Sequence, residues 1–283
     1  LKETETMTPL YRGMDRASLD LAYNNVAAEP RYPERMSDFK ERSDVLYLST
    51  NARRNIPYGD RLRQRFDWLA SGNDNAQTFV FIHGGYWQTY TKEDLAFIAS
   101  GPLARGFNVI LAEYTLAPEA SMTEIVGEIG ALLDHLQVEP GEAGFGGRAV
   151  CLCGHSAGGQ LAALQRTHPA ITLTLAISAL SDLEPIALSW LNEKLKLTLE
   201  EISTLSPLYR IESGAPIILS VGENELPELV RQTQSYEAAL KYHGEAVTVV
   251  SLPGKTHFSV LDDLADPFGM LMNAVADAMA DFK

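Results

Sequence analysis

The chain has 283 residues, 46% of them apolar and 21% charged, with a formal net charge of −14. Such a length suits one large α/β domain with a sizeable core, although length alone would also accommodate two. A surface this acidic repels phosphate backbones and anionic lipid headgroups, which argues against nucleic-acid and membrane-surface partners.

The opening stretch LKETETMTPLYRGMDRASLD has no apolar core of the kind a secretory signal requires. No stretch approaches the ~18 uninterrupted apolar residues of a membrane span. Residues 1–43 carry helix-like patches such as ASLDLAYNN and read as an arm packed on the domain. Weak strands near 45–50 and 62–69 are expected to form an antiparallel edge. Beyond them, short apolar runs alternate with helix-period segments. Strands are expected at 78–82, 108–114, 148–153, 171–178, 216–221 and 246–252, and helices at 91–105, 120–138, 157–167, 227–243 and 258–280. Near-continuous apolar runs are what parallel strands show when helices cover both faces of a sheet. The order predicts a single domain over 1–283, with a doubly wound, mostly parallel sheet. Residues 181–210 interrupt the rhythm and are too long for an ordinary connection, so they form either a small helical cap or a functional loop.

The only cysteines, Cys151 and Cys153, lie two apart in an expected strand. They would share one face, poorly placed to bond to each other, and two are too few for a tetrahedral zinc site. Small buried hydrophobes in a reducing, cytoplasmic setting are the expectation.

The chemistry centres on RAVCLCGHSAGGQ, where Gly154-His155-Ser156-Ala157-Gly158 stands between a strand and a helix. Bare G-x-S-x-G arises by chance in roughly one chain in ten of this length, so the strand before it and the helix after it carry the inference. In that setting it is a nucleophile elbow. Ser156 would project at the C-terminal edge of the sheet, and the Ala157 N–H would face a developing oxyanion.

A serine needs a base within reach. His257, in PGKTHFSV after the last expected strand, is best placed to swing an imidazole over the sheet edge. His135, His168 and His243 sit in or beside helices, His83 supports the HGGYW turn, and His155 is expected to face away from the serine. The acid should fall between serine and histidine in the chain. Glu225, three residues after the glycine that ends a strand, is the candidate, with Glu223 its rival. Gly84 and Gly85 in FIHGGYW supply bare backbone N–H groups for an oxyanion hole. Tyr86 and Trp87 would line an aromatic pocket, or Trp87 would anchor the loop.

FIHGGYW, GHSAGG, GENELPE and THF together resemble the kynurenine formamidase-like group of α/β-hydrolases, related to hormone-sensitive-lipase-type esterases. LDLAYNN and IPYGDRLRQRFDWL resemble that group's N-terminal region, so the resemblance spans nearly the whole chain. HGGYW is its more specific element, because many esterases carry a third glycine where Tyr86 stands. Glu225 departs from the commoner aspartate. The resemblance implies the α/β-hydrolase fold and hydrolysis of a small acyl amide or ester. Conversion of N-formyl-L-kynurenine to formate and L-kynurenine is the reference reaction. No cofactor or metal is implied, since the metal-dependent type of formamidase would need a histidine and carboxylate cluster. Two rivals stand beside this reading: a carboxylesterase or amidase of another pathway, and a hydrolase-like binding protein without catalysis. The sequence leaves room for a homo-oligomer without specifying one.

Overall fold

The computed structural model describes residues 10–73, 75–139 and 141–282. Its strands are β1 (Arg53–Pro57), β2 (Arg65–Leu69), β3 (Thr78–Ile82), β4 (Asn108–Ala112), β5 (Val150–His155), β6 (Leu173–Ile177), β7 (Ile217–Gly222) and β8 (Val247–Leu252). They form one 8-stranded sheet in the order β1-β2-β4-β3-β5-β6-β7-β8. β1 and β2 pair antiparallel, β2 joins β4 antiparallel, and every pairing from β4 to β8 is parallel. This is the α/β-hydrolase fold.

The helices are α1 (Arg16–Ala22), α2 (Asn25–Ala28), α3 (Tyr32–Ser49), α4 (Ser100–Ala104), α5 (Met122–Val138) and α6 (Ala157–Leu164), followed by α7 (Glu184–Ala187), α8 (Asn192–Leu195), α9 (Leu199–Leu205), α10 (Pro227–Tyr242), α11 (Val260–Ala265) and α12 (Met270–Ala278). Alternation along the central strands divides the core in two. Val80, Ile82, Ile110 and Leu152 face one side, packed with the buried stripes of α5 and α6. Phe79, Phe81, Val109 and Leu111 face the other with α3, α11 and α12, joined by Cys151 and Cys153, which are buried and unbonded.

Three expectations need correction. Residues 45–50 close the α3 helix; the edge strand is β1. The short apolar run VLYL mimics a strand, but Phe39, Ser43 and Leu46 recur at helical spacing and are the buried residues of α3. The helix expected over 91–105 is reduced to a 3-10 turn at Ala96–Ala99 followed by α4. Its first turn is lost because Asp94 Oδ2 accepts from the Thr91 N–H and hydroxyl, at 2.8 and 3.0 Å, and holds a turn instead. The helix expected over 258–280 breaks into α11 and α12 around Pro267, with Asp263 accepting from the N–H groups of Met270 and Leu271 to cap the second piece.

The 181–210 segment is helical, comprising α7, α8, α9 and a 3-10 turn at Pro207–Tyr209. Its Leu183, Ile186, Leu191 and Leu205 join the core on the α5 side. The arm packs on the domain through widely separated partners. Tyr11 donates to Asp182 at 2.7 Å, and Thr256 donates to Glu29 at 2.7 Å. Arg35 and Arg42 both reach Asp262, at 3.1 and 2.7 Å. Residues 1–9 of the arm lie outside the described residues. Among the described residues no helix is long and apolar enough to cross a membrane.

Candidate active site

β5 runs straight into a turn at Ser156, whose backbone sits at φ 57° and ψ −118°. A non-glycine residue there is strained by about 1–3 kcal/mol, and such strain persists only where the surroundings impose it. Here the crossing of strand and helix imposes it. A Cβ on Gly154 would lie 2.0 Å from the Gly158 carbonyl oxygen, and one on Gly158 would lie 2.1 Å from the Ile82 oxygen. Only bare backbone fits at both points. The Ser156 N–H is held by Ile177 O at 2.8 Å, and α6 begins at Ala157, so the Ala157 N–H has no partner within its helix. Ser156 opens on a cavity of about 380 Å³.

His257 opens on the same cavity. It follows β8, and its Nδ1 lies 2.7 Å from Glu225 Oε2. A carboxylate accepts, so Nδ1 carries the proton and Nε2 is left with the lone pair a base requires. Glu225 is buried, and its other oxygen accepts from the Ser178 hydroxyl at 2.6 Å and the Gly222 N–H at 2.8 Å. Both oxygens are therefore held in place. Glu223 is exposed. Ser178, at φ 51° just beyond β6, went unnoticed in the sequence; a serine at the carboxyl end of the neighbouring strand was the available signal.

His155 does not face away. Its ring packs 4.7 Å from that of His257, and its Nε2–H donates to the His257 carbonyl oxygen at 2.8 Å. Burial, and then the proximity of His257, hold its pKa well below the ordinary histidine value. It is a neutral ring bracing the loop that carries His257.

Gly84 and Gly85 follow β3. A Cβ on Gly84 would come within 3.0 Å of the Ser156 Cβ, so this backbone passes directly beside the serine. Gly85, at φ 101°, adopts a conformation open to glycine, and its carbonyl closes the turn by accepting from Gln88 and Thr89. Beneath this loop, His83 uses Nδ1 on the Gly84 oxygen at 2.8 Å and Nε2 on Glu113 at 3.0 Å, leaving no ring nitrogen for the cavity. Burial would raise the Glu113 carboxyl, but His83, Arg63 and the Lys92 N–H outweigh it and hold it below its ordinary value.

Tyr86 lines the cavity; Trp87 does not. Trp87 is fully buried and donates through Nε1 to Gln160 at 3.2 Å, so it anchors the loop to α6. The Tyr86 hydroxyl donates to the Tyr23 carbonyl at 2.6 Å and accepts from Asn25 at 2.9 Å, fixing its ring against the arm. Tyr32, Tyr90, Trp190 and Phe258 extend the aromatic lining, so the arm and the 181–210 insertion both contribute to the cavity. Among the described residues no group of three or more His, Cys, Asp or Glu side chains is arranged to hold a metal ion.

Fold and site together define the class: a hydrolase of the esterase and formamidase kind. The BD-FAE family profile matches residues 69–176, the stretch from β2 to β6. Kynurenine formamidase of Danio rerio is 27% identical over 280 residues, covering 90% of this chain and 94% of that protein. The Salmo salar kynurenine formamidase is 30% identical over 231 residues, covering 75% and 76%. A crystal structure from Silicibacter sp. tm1040, of a protein provisionally described as a thioesterase, superposes with TM-score 0.83 at 28% identity over 91% of this chain and 98% of that one. The chain belongs to the kynurenine formamidase family of α/β-hydrolases.

Proposed function

We propose that this protein is a serine hydrolase that cleaves a small acyl amide or ester through an acyl-enzyme, with an aryl formamide such as N-formyl-L-kynurenine as its substrate. The observation that carries the reading is a strained Ser156 sharing one cavity with a His257 whose Nδ1 is held 2.7 Å from a buried Glu225. His257 Nε2 takes the Ser156 proton as Oγ attacks the carbonyl carbon. The oxyanion rests on the N–H groups of Gly84, Gly85 and Ala157, and Glu225 steadies the imidazolium. His257 then protonates the leaving nitrogen or oxygen, the C–N or C–O bond breaks, and a water activated by the same Nε2 releases the acyl group. The aromatic lining of the cavity supports an aryl leaving group, and kinship with kynurenine formamidases supports a formyl acyl group.

A screen of amides and esters against wild type and Ser156→Ala tests this reading. Ser156→Ala should lower kcat by several orders of magnitude while the protein stays folded. In a matched series with one aryl amine, kcat/KM should fall steeply from formyl to acetyl to butyryl. Near-normal turnover by folded Ser156→Ala refutes the nucleophile. Activity rising toward butyryl refutes the formamide and favours a carboxylesterase.

A further inference from the structure

The segment after Gly85 is unusual in holding three aromatic residues at positive φ: Tyr86 at 52°, Trp87 at 58° and Tyr90 at 71°. For bulky side chains this conformation is a genuine outlier, and it needs a reason. Tyr86 and Trp87 have theirs in the hydrogen bonds to the arm and to α6. Tyr90 is different. Its backbone is pinned by Arg63, whose Nη2 donates to the Tyr90 carbonyl at 2.6 Å, and it lines both the cavity and the open groove beside α3. There its hydroxyl lies 2.5 Å from that of Tyr32, at the first turn of α3.

A count of protons shows what this pair offers. Each phenol has one hydrogen and can both donate and accept. One hydroxyl donates to the other, and the second hydrogen remains. Neither hydroxyl has another hydrogen-bond partner among the described residues. Burial, and then the bond to Tyr32, push the Tyr90 hydroxyl above the ordinary tyrosine range, so it stays protonated. Because both residues line the cavity, that hydrogen is within reach of a molecule bound there. The pair also stands near the base that would protonate the departing atom: the Tyr32 ring packs 5.2 Å from Phe258, the residue after His257.

We propose that the Tyr32–Tyr90 hydroxyl pair is a specificity subsite that donates an O–H to a carbonyl oxygen borne on the aromatic leaving group. This rests on the serine-hydrolase reading above. It adds that the favoured aryl amides carry an acceptor on the ring. A substrate without one forgoes that hydrogen bond, which disfavours it relative to one that makes it.

The test uses formanilides substituted at the 2, 3 or 4 position with acetyl or with trifluoromethyl. Both groups withdraw electrons from the leaving amine, but only acetyl supplies a carbonyl acceptor. In wild type at least one acetyl isomer should exceed its trifluoromethyl counterpart in kcat/KM by about 5- to 10-fold, the range of one neutral hydrogen bond. In Tyr32→Phe/Tyr90→Phe that ratio should collapse toward one, carried mainly by KM. The two single variants show which hydroxyl donates, and they serve if the double variant folds poorly. A wild-type ratio near one at all three positions overturns the proposal, as does a ratio that survives in the double variant. An equal loss on every substrate with a lowered Tm also overturns it, because the pair would then only latch the arm. Ser156→Ala separates the two levels. If it abolishes turnover of all six compounds, the underlying reading stands and the ratio alone decides the subsite. Failure of wild type to cleave any aryl formamide overturns both.

Discussion

Ser156, Glu225 and His257 illustrate how much a single side chain depends on its immediate surroundings. Glu225 touches His257 with one oxygen and is held by Ser178 and Gly222 with the other, whereas Glu223 is exposed, with its backbone N–H bonded to Leu252. Glu225→Gln should therefore cut kcat strongly, by about 10²-fold or more, because an amide can offer its NH₂ to Nδ1 and favour the wrong tautomer. Glu223→Gln should change kcat by less than about 2-fold. Steady-state kinetics on both variants checks this, and the reverse ranking transfers the role to Glu223. His155 makes a prediction about pH. In the folded protein its pKa is held well below the ordinary value by burial, whereas in the unfolded chain it takes up a proton below about pH 6.5. Below that pH the unfolded state binds the extra proton, so stability falls with falling pH, by up to about 1.4 kcal/mol per unit from this group. Above it neither state is protonated and the contribution is flat. Urea unfolding between pH 5 and 7.5 should show a shallower acid decline in His155→Phe than in wild type. Equal slopes would refute the assignment of that decline to His155.

At the scale of elements, the strand–turn–helix unit around Ser156 is held by two contacts that exclude any side chain. Gly158→Ala sets a methyl 2.1 Å from a backbone oxygen of β3, and backbone cannot yield as a flexible side chain can. It should cost about 1–3 kcal/mol or more, visible as a Tm lowered by about 2–4 °C per kcal/mol at this size. Gly127, exposed in the middle of α5 with nothing within 4 Å of an added Cβ, is the contrasting case. Gly127→Ala should stabilise the protein by about 0.5–1 kcal/mol by relieving glycine's entropic penalty. Thermal melts of the two variants should shift in opposite directions. The same unit was the most readable part of the chain, because strand, glycines, serine and helix are contiguous and each obeys a local rule. Five of the six parallel strands, β3 to β7, were readable for a similar reason: residues buried on both faces leave a near-continuous apolar run. What failed was local pattern without its context. The VLYL run obeys strand propensity, yet it completes a helix whose buried stripe began at Phe39. The helix break near Pro267 and the turn at Asp94 depend on single side-chain caps that periodicity averages away. The bonds that give Ser178 and His155 their roles were not legible because their partners stand 47 and 102 residues away.

For the molecule as a whole, the hydrolase sheet supplies the chemistry, while segments outside the alternating pattern supply much of the cavity wall. Tyr23, Asn25 and Tyr32 come from the arm and Trp190 and Leu191 from the helical insertion. Both segments stand out in the sequence as exceptions to the fold, but nothing in the arm announces a partner more than 150 residues away. The contacts themselves are specific. Tyr11 reaches Asp182, Tyr23 reaches Glu228, Glu29 receives Thr256, and Arg35 and Arg42 share Asp262. Those separations bear on how the chain matures during its own synthesis. Residues 10–49 are made before Asp182, Glu228, Thr256 and Asp262, although α3 also packs on the nearer Asp67 and Phe97. The cavity therefore cannot be complete before Phe258, which lines it beside Tyr23, Asn25 and Tyr32, has been synthesised.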